Sequence, residues 1–466
     1  MKASSLAVAV LCCAAALAAE AGEPPQDFVR VSPRDRRYLE LSDGTPYIPI
    51  GLNAIAPRGG NLSSMEDWFR NLSANRGNFV RIWLSNPYFD IEHARSGEYD
   101  GQKARRIDEL LALARRHGIR LKLCLEHFRA LESGQSWATK PIHHVSNGGP
   151  ARTMAEFFES PTSREQFKRK LACYANRYGD DPIVFGWELW NEVNAVQGNV
   201  NVLDWSAVML AELHRLFPRN LALQNLGSFD TPRVNELYRA HSLLAGNDLA
   251  QVHRYLDLGA RIEACRGPVD LLAIDAVRTI QSYDPAKPIL LAESGAVEPG
   301  HTGPFKLYEK DKEGIILHDV LFAPFFAGAC GPGHIWHWDV YVARNTLWHH
   351  FDRFAQVVDR LDPPAEAFQS VQIPHQRLRV LALRGKNTTL LWCRDMQNNW
   401  MTELRDGQAP ATIQDMPIQL PDGWEASAAK ARFFNPWTNR WTEGPVAAGR
   451  ITPPPFSRSM VVRIDR

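Results

Sequence analysis

The stretch Ile183-Val184-Phe185-Gly186-Trp187-Glu188-Leu189-Trp190-Asn191-Glu192 decides how the chain is interpreted. Most of its residues are apolar, β-branched or aromatic, as in a strand that is buried on both faces. Parallel barrels are built from such strands, and the loops after their carboxyl ends form the substrate cleft. Asn191 and Glu192 stand at that end, so the stretch predicts either a catalytic acid or an ordinary strand that stops at a polar pair.

A second strand of the same kind follows downstream. Pro288-Ile289-Leu290-Leu291-Ala292-Glu293 is again short and apolar and again ends in a glutamate. The chain between them has room for about three strand-and-helix units of roughly 30 or more residues each. If Glu192 ends the fourth strand of an eight-stranded barrel, Glu293 ends the seventh, and both carboxylates face one cleft. Two such carboxylates are the minimal apparatus of glycoside hydrolysis.

The remaining pattern predicts an α/β protein with a (β/α)8 TIM barrel and a C-terminal antiparallel β-sandwich domain. The other six barrel strands are predicted at residues 48–53, 78–83, 119–125, 221–226, 249–253 and 334–339. A hairpin with a turn at Asp43-Gly44 precedes them. After Asp362-Pro363-Pro364 the apolar residues alternate, which favours antiparallel strands. We therefore expect a barrel domain at 22–364 and a β-sandwich at 365–466.

At the strand ends the sequence resembles the retaining glycoside hydrolases of clan A, the cellulase and mannanase clan, and is most like family 5. The resemblance covers residues 37 to 340 and rests on Asn191-Glu192, Glu293, Arg81, His253-x-Tyr255 and Trp336. It implies that Glu192 is the acid/base and Glu293 the nucleophile. It also implies that Arg81 and Tyr255 support the nucleophile and that Asn191 holds the 2-hydroxyl of the sugar.

Six further residues are predicted to bind substrate: Asn53, Glu126, His127, His253, Trp336 and Trp338. The two tryptophans would share one face of strand eight, as a sugar-stacking platform or as core. Glu126 departs from the clan pattern, and it either binds substrate or pairs with a basic residue such as Arg81. A second departure is Val193-Asn194 after Glu192, where many clan members have proline. Glu188 is expected to have a structural hydrogen-bonding role.

The loop from Phe128 to Thr162 is too long for an ordinary βα connection, so we expect it to shape the cleft. Whether it blocks the cleft for exo action stays open. The sugar stays open too, since β-mannan and β-glucan both fit.

The charge balance and the N-terminal residues indicate which class of partner the protein binds and where in or outside the cell it works. The chain of 466 residues has 53 basic and 52 acidic residues, so its net charge of +1 gives no reason to expect nucleic acid. We expect a carbohydrate substrate instead. Residues 1–21 resemble a signal peptide with an A-x-A-like cleavage site, and no later stretch approaches the roughly 20 apolar residues of a membrane span. An exported protein is predicted.

No metal or cofactor is expected. Five cysteines remain after the signal peptide, an odd number without the close spacing of a zinc site or a disulfide framework. A metal-dependent barrel hydrolase is a competing interpretation, but His334 and His337 would point to opposite faces of their strand. The non-enzymatic rival is a carbohydrate-binding barrel, which should lack one of the two acids.

Overall fold

The structure is a computed structural model that describes residues 26–127, 137–196, 198, 200–422, 424 and 430–465. The predicted signal peptide lies outside these residues, as does the first part of the long loop after strand three. Within the described residues, no helix has both the length and the apolar character needed to cross a membrane.

The chain begins with a small antiparallel sheet and continues into the barrel. The first sheet comprises β1 (Val29–Val31), β2 (Leu39–Leu41) and β3 (Pro46–Tyr47). A continuous parallel sheet follows, with β4 (Gly51–Asn53), β5 (Phe79–Trp83), β6 (Arg120–His127), β7 (Val184–Asn191) and β8 (Leu221–Leu223) in that order. β9 (Ala250–His253) pairs in parallel with β11 (Ile289–Glu293), and at the mouth β10 (Leu256–Asp257) pairs with β12 (Ala296–Val297). The predicted barrel is confirmed.

The eighth barrel position differs from the prediction of a strand at residues 334–339. Only Ile335 forms bridges, one to Leu52 and one to Ser294, and these close the barrel. The Trp338 amide then bonds the Trp336 carbonyl at 2.9 Å across His337 (φ −84°, ψ 62°), which is an inverse γ-turn, and residues Trp338–Ala343 form a π-helix. Trp336 and Trp338 therefore do not lie on one face of a strand. The prediction was wrong because an alternating pattern of six residues does not distinguish a strand from a turn followed by a helix.

The described residues form ten α-helices, and most of them cover the barrel. They are α1 (Ser63–Ala74), α2 (Gly101–Arg116), α3 (Met154–Glu159), α4 (Pro161–Tyr178), α5 (Val202–Leu216), α6 (Asn235–Ser242), α7 (Val269–Gln281), α8 (Ile315–Phe326), α9 (His349–Val357) and α10 (Pro363–Glu366). α2 is typical, because Asp100 caps it by accepting from the Gln102 and Lys103 amides, and its apolar stripe is buried. α8 is unlike the others. All twelve of its residues are buried, since it lies between the barrel and the C-terminal sheet.

The C-terminal domain is an eight-stranded antiparallel sheet. Its strands are β13 (Gln369–Ile373), β14 (Leu378–Arg384), β15 (Thr388–Asp395), β16 (Ile418–Gln419), β17 (Lys430–Asn435), β18 (Arg440–Ala447), β19 (Arg450–Ile451) and β20 (Ser459–Asp465). They lie in the order β13-β14-β15-β20-β17-β18-β19-β16. This arrangement confirms the predicted β-sandwich class.

The two faces of the C-terminal sheet serve two cores. In β15, Leu391 and Cys393 belong to a core within the sheet domain, whereas Leu390 and Trp392 join the barrel core. The period of two in the strand produces this division. Several ion pairs cross the boundary, among them Arg379 with Asp270. In the most buried of them, Arg394 contacts Asp319 of α8 through two hydrogen bonds of 2.9 and 3.2 Å, and both side chains are almost fully buried.

Candidate active site

Arg81 is the centre of a buried polar cluster inside the barrel. It follows Val80 in the apolar strand β5, and its side chain is wholly shielded from solvent. The guanidinium donates to Glu188 through Nε (2.7 Å) and to Asn191 through Nη2 (2.7 Å), and Nη1 forms an ion pair with Glu293. A buried arginine is stable only when its N–H groups have hydrogen-bond acceptors. Here residues of β7 and β11 supply these acceptors.

Glu293 is held in one orientation by two donors, one on β5 and one in the segment between β9 and β10. Arg81 contacts one carboxylate oxygen, and the Tyr255 hydroxyl donates to the other at 2.6 Å. A register shift between Leu291 and Glu293 interrupts the pairing of β11 with β9 and places Glu293 opposite His253. Such irregularities re-aim side chains next to active sites.

Glu192 directly follows β7 and has a left-handed backbone (φ 55°, ψ 52°). This conformation is uncommon for a residue with a side chain and is concentrated at functional sites. The Glu192 amide donates to Asn225 Oδ1 at 2.7 Å, and Oε1 lies 3.0 Å from His253 Nδ1. The side chain keeps 19% of its surface exposed, against 4% for Glu293. Glu192 is therefore the acid that meets the open cleft.

The two carboxylates face each other across His253. Its Nδ1 is 3.0 Å from Glu192 and 3.4 Å from Glu293, and one oxygen of each acid lies within 4.8 Å of the other. Retaining glycosidases have carboxyl groups about 5–5.5 Å apart, and inverting ones about 6.5–9.5 Å. The same three side chains have the spacing of a metal site, but the neighbouring Arg81 cation already pairs with Glu293 and would repel a metal ion.

One side of the mouth carries aromatic rings. Trp83 stacks on His127 with ring centroids 4.7 Å apart, and Trp336 lies 5.2 Å from Trp83. Trp336 is partly exposed, whereas Trp338 is buried edge-on against Trp68 of α1. We therefore correct the predicted platform: Trp338 is core, and Trp336 remains the candidate. Trp83 was missed, although it stands two residues after Arg81 and so shares its face.

Replacing Trp336 by alanine is expected to raise KM about five- to tenfold with little change in kcat, because a lost aromatic face costs about 1 kcal/mol. Steady-state kinetics on an oligosaccharide measures this. Trp338→Phe is the matched control, since it alters a ring packed on Trp68; a KM effect there and none for Trp336→Ala would reverse the assignment.

Two predicted substrate-binding residues have other roles. Asn53 is fully buried, and its side-chain amide donates to the carbonyls of Ala292, His334 and Ile335 at 3.2–3.3 Å. It therefore ties the first strand to the closing ones. Glu126 is also buried and pairs with Lys170 of α4, so it contacts neither Arg81 nor the cleft.

Of the two alternatives for Glu126, pairing with a basic residue holds, with Lys170 in place of Arg81. Its outward position has a local cause. Lys122 faces the interior, and strict alternation would place Glu126 there as well. The alternation shifts after Cys124, whose Sγ bonds the Glu126 carbonyl at 3.2 Å, and His127 takes the inward position instead. Burial raises the pKa of Glu126 to about 7 against the opposing effect of Lys170.

The opposite side of the mouth is polar and was not predicted. His301 lies 3.2 Å from Asp257 Oδ2 and 3.2 Å from the Ser228 hydroxyl, with its ring edge-on to Tyr255 at 5.0 Å. Asp257 is fixed by the amides of Gly259 (2.7 Å) and Gly300 (3.0 Å). These residues come from loops after strands five, six and seven, which no short motif singles out.

Comparison with known proteins agrees with this geometry. The chain is 26% identical over 301 residues to mannan endo-1,4-beta-mannosidase 7 of Arabidopsis thaliana, covering 56% of this chain and 67% of that protein. It is 28% identical over 219 residues to mannan endo-1,4-beta-mannosidase 3 of Oryza sativa subsp. japonica, covering 41% and 46%. A glycoside hydrolase family 5 structure from Bacteroides vulgatus superposes with a TM-score of 0.61 at 14% identity, covering 94% of this chain and 93% of that one. No family model matches the sequence.

The chain is thus similar in sequence to mannan endo-1,4-beta-mannosidases and in fold to a family 5 glycoside hydrolase. The resemblance inferred from the strand ends is thereby confirmed. The structure itself brings together Glu192, Glu293, Arg81, Asn191, His253 and Tyr255 in one cluster.

Proposed function

We propose that the protein is a retaining glycoside hydrolase that cleaves β-mannosidic bonds of a β-mannan by double displacement. The observation that carries this proposal is the close approach of the Glu192 and Glu293 carboxylates within the barrel mouth. The mannosidase names of its relatives support mannan over β-glucan.

In the first step Glu293 attacks the anomeric carbon as the bond to the leaving oxygen breaks, and Glu192 gives that oxygen its proton. In the second step Glu192 accepts a proton from water, and the water oxygen replaces Glu293 at the anomeric carbon. The sugar thus keeps its configuration after two inversions. Arg81 and Tyr255 hold the attacking carboxylate, and Asn191 is beside it to bind the 2-hydroxyl.

His253 connects the two acids in this scheme. Its Nδ1 lies 3.0 Å from Glu192 and 3.4 Å from Glu293, within reach of both carboxylates. Its ring is fully buried and therefore keeps a fixed position between the carboxylates. No cofactor has a part in either step.

The rival function is a carbohydrate-binding barrel without turnover. It has little support, because both acids are present and each has hydrogen-bond partners that fix its orientation. The leader-like residues 1–21 support export of the protein.

We expect proton NMR of the first product released from a β-mannan oligosaccharide to show the β-anomer, before mutarotation mixes the two forms. Activity should survive dialysis against a chelator, since the reaction uses carboxylates alone. An α-anomer first, or activity that returns only with added metal, would contradict the mechanism.

A further inference from the structure

A lysine that the mechanism does not use lies inside the barrel beneath the catalytic acids. The side chain of Lys122 is fully buried, and Nζ is 3.0 Å from Glu188 Oε2 and 2.6 Å from Gln251 Oε1. Burying an ammonium group is costly unless a specific partner compensates it. One of the two partners here, Glu188, also holds Arg81.

Glu188 connects the two cations. Its Oε1 accepts from Arg81 Nε at 2.7 Å, and its Oε2 accepts from Lys122 and from Gln251 Nε2 at 3.2 Å. Burial alone would raise the pKa of Glu188, but the charges of Arg81 and Lys122 outweigh it and hold this pKa below its ordinary range. Glu188 is therefore a fixed anion at the floor of the site.

This anion determines where the Arg81 guanidinium points. The group is planar, so once Nε donates to Glu188 the directions of the N–H bonds at Nη1 and Nη2 are fixed. Along these directions Nη1 meets Glu293 and Nη2 meets Asn191 at 2.7 Å. A rotation of the guanidinium would lose both contacts at once.

Lys122 also balances charge. The buried cluster that includes the nucleophile has two cations, Arg81 and Lys122, and two anions, Glu188 and Glu293. Without Lys122, both carboxylates would compete for the single guanidinium. Arg81 would then be drawn toward Glu188, which is wholly buried, and away from Glu293.

We propose that Lys122 and Glu188 are positioning residues for the glycosidase reaction, which act through Arg81 to aim and stabilise the nucleophile Glu293. This inference rests on the proposed function. Neither residue touches substrate, because both lie below the carboxylates and are fully buried.

The test uses Lys122→Met, which keeps the length of the side chain but removes its charge. We expect kcat to fall about ten- to hundredfold with KM unchanged, since small misplacement of a reacting group costs this much. The rate at which an activated 2-deoxy-2-fluoro-β-mannoside labels Glu293, followed by mass spectrometry, should fall equally. Lys122→Arg, which keeps the charge, should recover part of the rate.

Lys287→Met is the matched control. Lys287 is also a buried lysine, and burial lowers the pKa of both Lys122 and Lys287 to about 8. Among the described residues, its Nζ donates to the backbone carbonyls of Leu244 (2.8 Å) and Asn247 (2.6 Å), and Lys287 lies at the opposite end of strand seven from Glu293. Lys287→Met should lower thermal stability and leave the labelling rate unchanged.

A pH profile of the wild type tests the same idea without any substitution. The ionisable groups around Lys122 are Arg81 (β5), Glu188 (β7), His253 (β9), Glu293 (β11), His334 at the closing position and Cys124 on its own strand. As pH rises through about 8, Lys122 loses its charge. When the labelling reagent has a leaving group that needs no protonation, the rate at which wild-type Glu293 is labelled should fall as pH rises above about 8. The labelling rate of Lys122→Met should not show this fall.

The outcomes separate the two proposals. If wild-type Glu293 is not labelled, the proposed function fails. If the wild type is labelled and Lys122→Met reacts at the same rate with the same pH profile, the positioning role is overturned. Should Lys122→Met not fold, Lys122→Gln, which keeps a donor for Glu188 without the charge, must show the slowed labelling.

Discussion

Replacing Glu293 by alanine is expected to lower kcat on the order of 10⁵- to 10⁶-fold on every substrate, the scale of losing a covalent nucleophile. The described residues around the anomeric position offer no other carboxylate with two donors to hold it. No glycosyl-enzyme should be trapped from this variant, which mass spectrometry of the intact protein will show.

Glu192→Ala should behave differently, and the contrast assigns the two roles. Substrates with poor leaving groups should slow by about 10²- to 10⁴-fold, because the leaving oxygen is no longer protonated. A substrate with an activated leaving group should still form the glycosyl-enzyme, and azide should restore turnover as a β-glycosyl azide. Equal losses in both variants without rescue by azide would refute the assignment, and binding without turnover by the wild type on a broad panel would favour the rival binding protein.

Deleting residues from Ala365 onward is expected to give insoluble or strongly destabilised protein. The deletion exposes the outer face of α8, where rings such as Phe322 and Phe326 lie near Trp392. Exposing each large apolar side chain to water lowers the free energy of unfolding by about 1.5–3 kcal/mol. It also removes Arg394, the buried partner of Asp319, and so breaks an ion pair that crosses the boundary. These losses match the roughly 5–15 kcal/mol by which a folded domain is stable.

Thermal unfolding of point variants tests the boundary more gently. Arg394→Leu should lower Tm markedly, and the double variant with Asp319→Leu should recover most of the loss, since a buried pair is replaceable by apolar residues. Arg405→Ala, which removes an exposed ion pair with Asp406, is the control. A soluble, stable barrel that has lost only affinity for polysaccharide would make the sheet a binding module instead.

The sequence predicted the parts of the site that lie on long apolar strands. β5, β7 and β11 were placed within a residue or two. Arg81, which the resemblance placed beside the nucleophile, pairs with Glu293, as a lone charge inside an apolar strand requires. Lys122 obeys the same argument and was overlooked, although it too interrupts an apolar strand.

What the sequence did not predict depends on breaks in regular alternation. The shift after Cys124 turned Glu126 outward, and the turn at His337 ended the eighth strand after a single bridged residue. Such irregularities are set by tertiary contacts, here Lys170 for Glu126 and Trp68 for Trp338, and leave no local pattern. The polar rim around His301 was missed because its members are far apart along the chain.

The complete burial of α8 has a consequence for how the molecule loses its structure. This helix has no face exposed to solvent, so the core shared by the barrel and the inner face of the sheet is not closed without it. Melting either part exposes α8 and removes the support of the other. The two domains therefore unfold as one cooperative unit. A destabilising mutation in the sheet lowers the fraction of molecules with a folded active site and does not change the chemistry of those that remain folded.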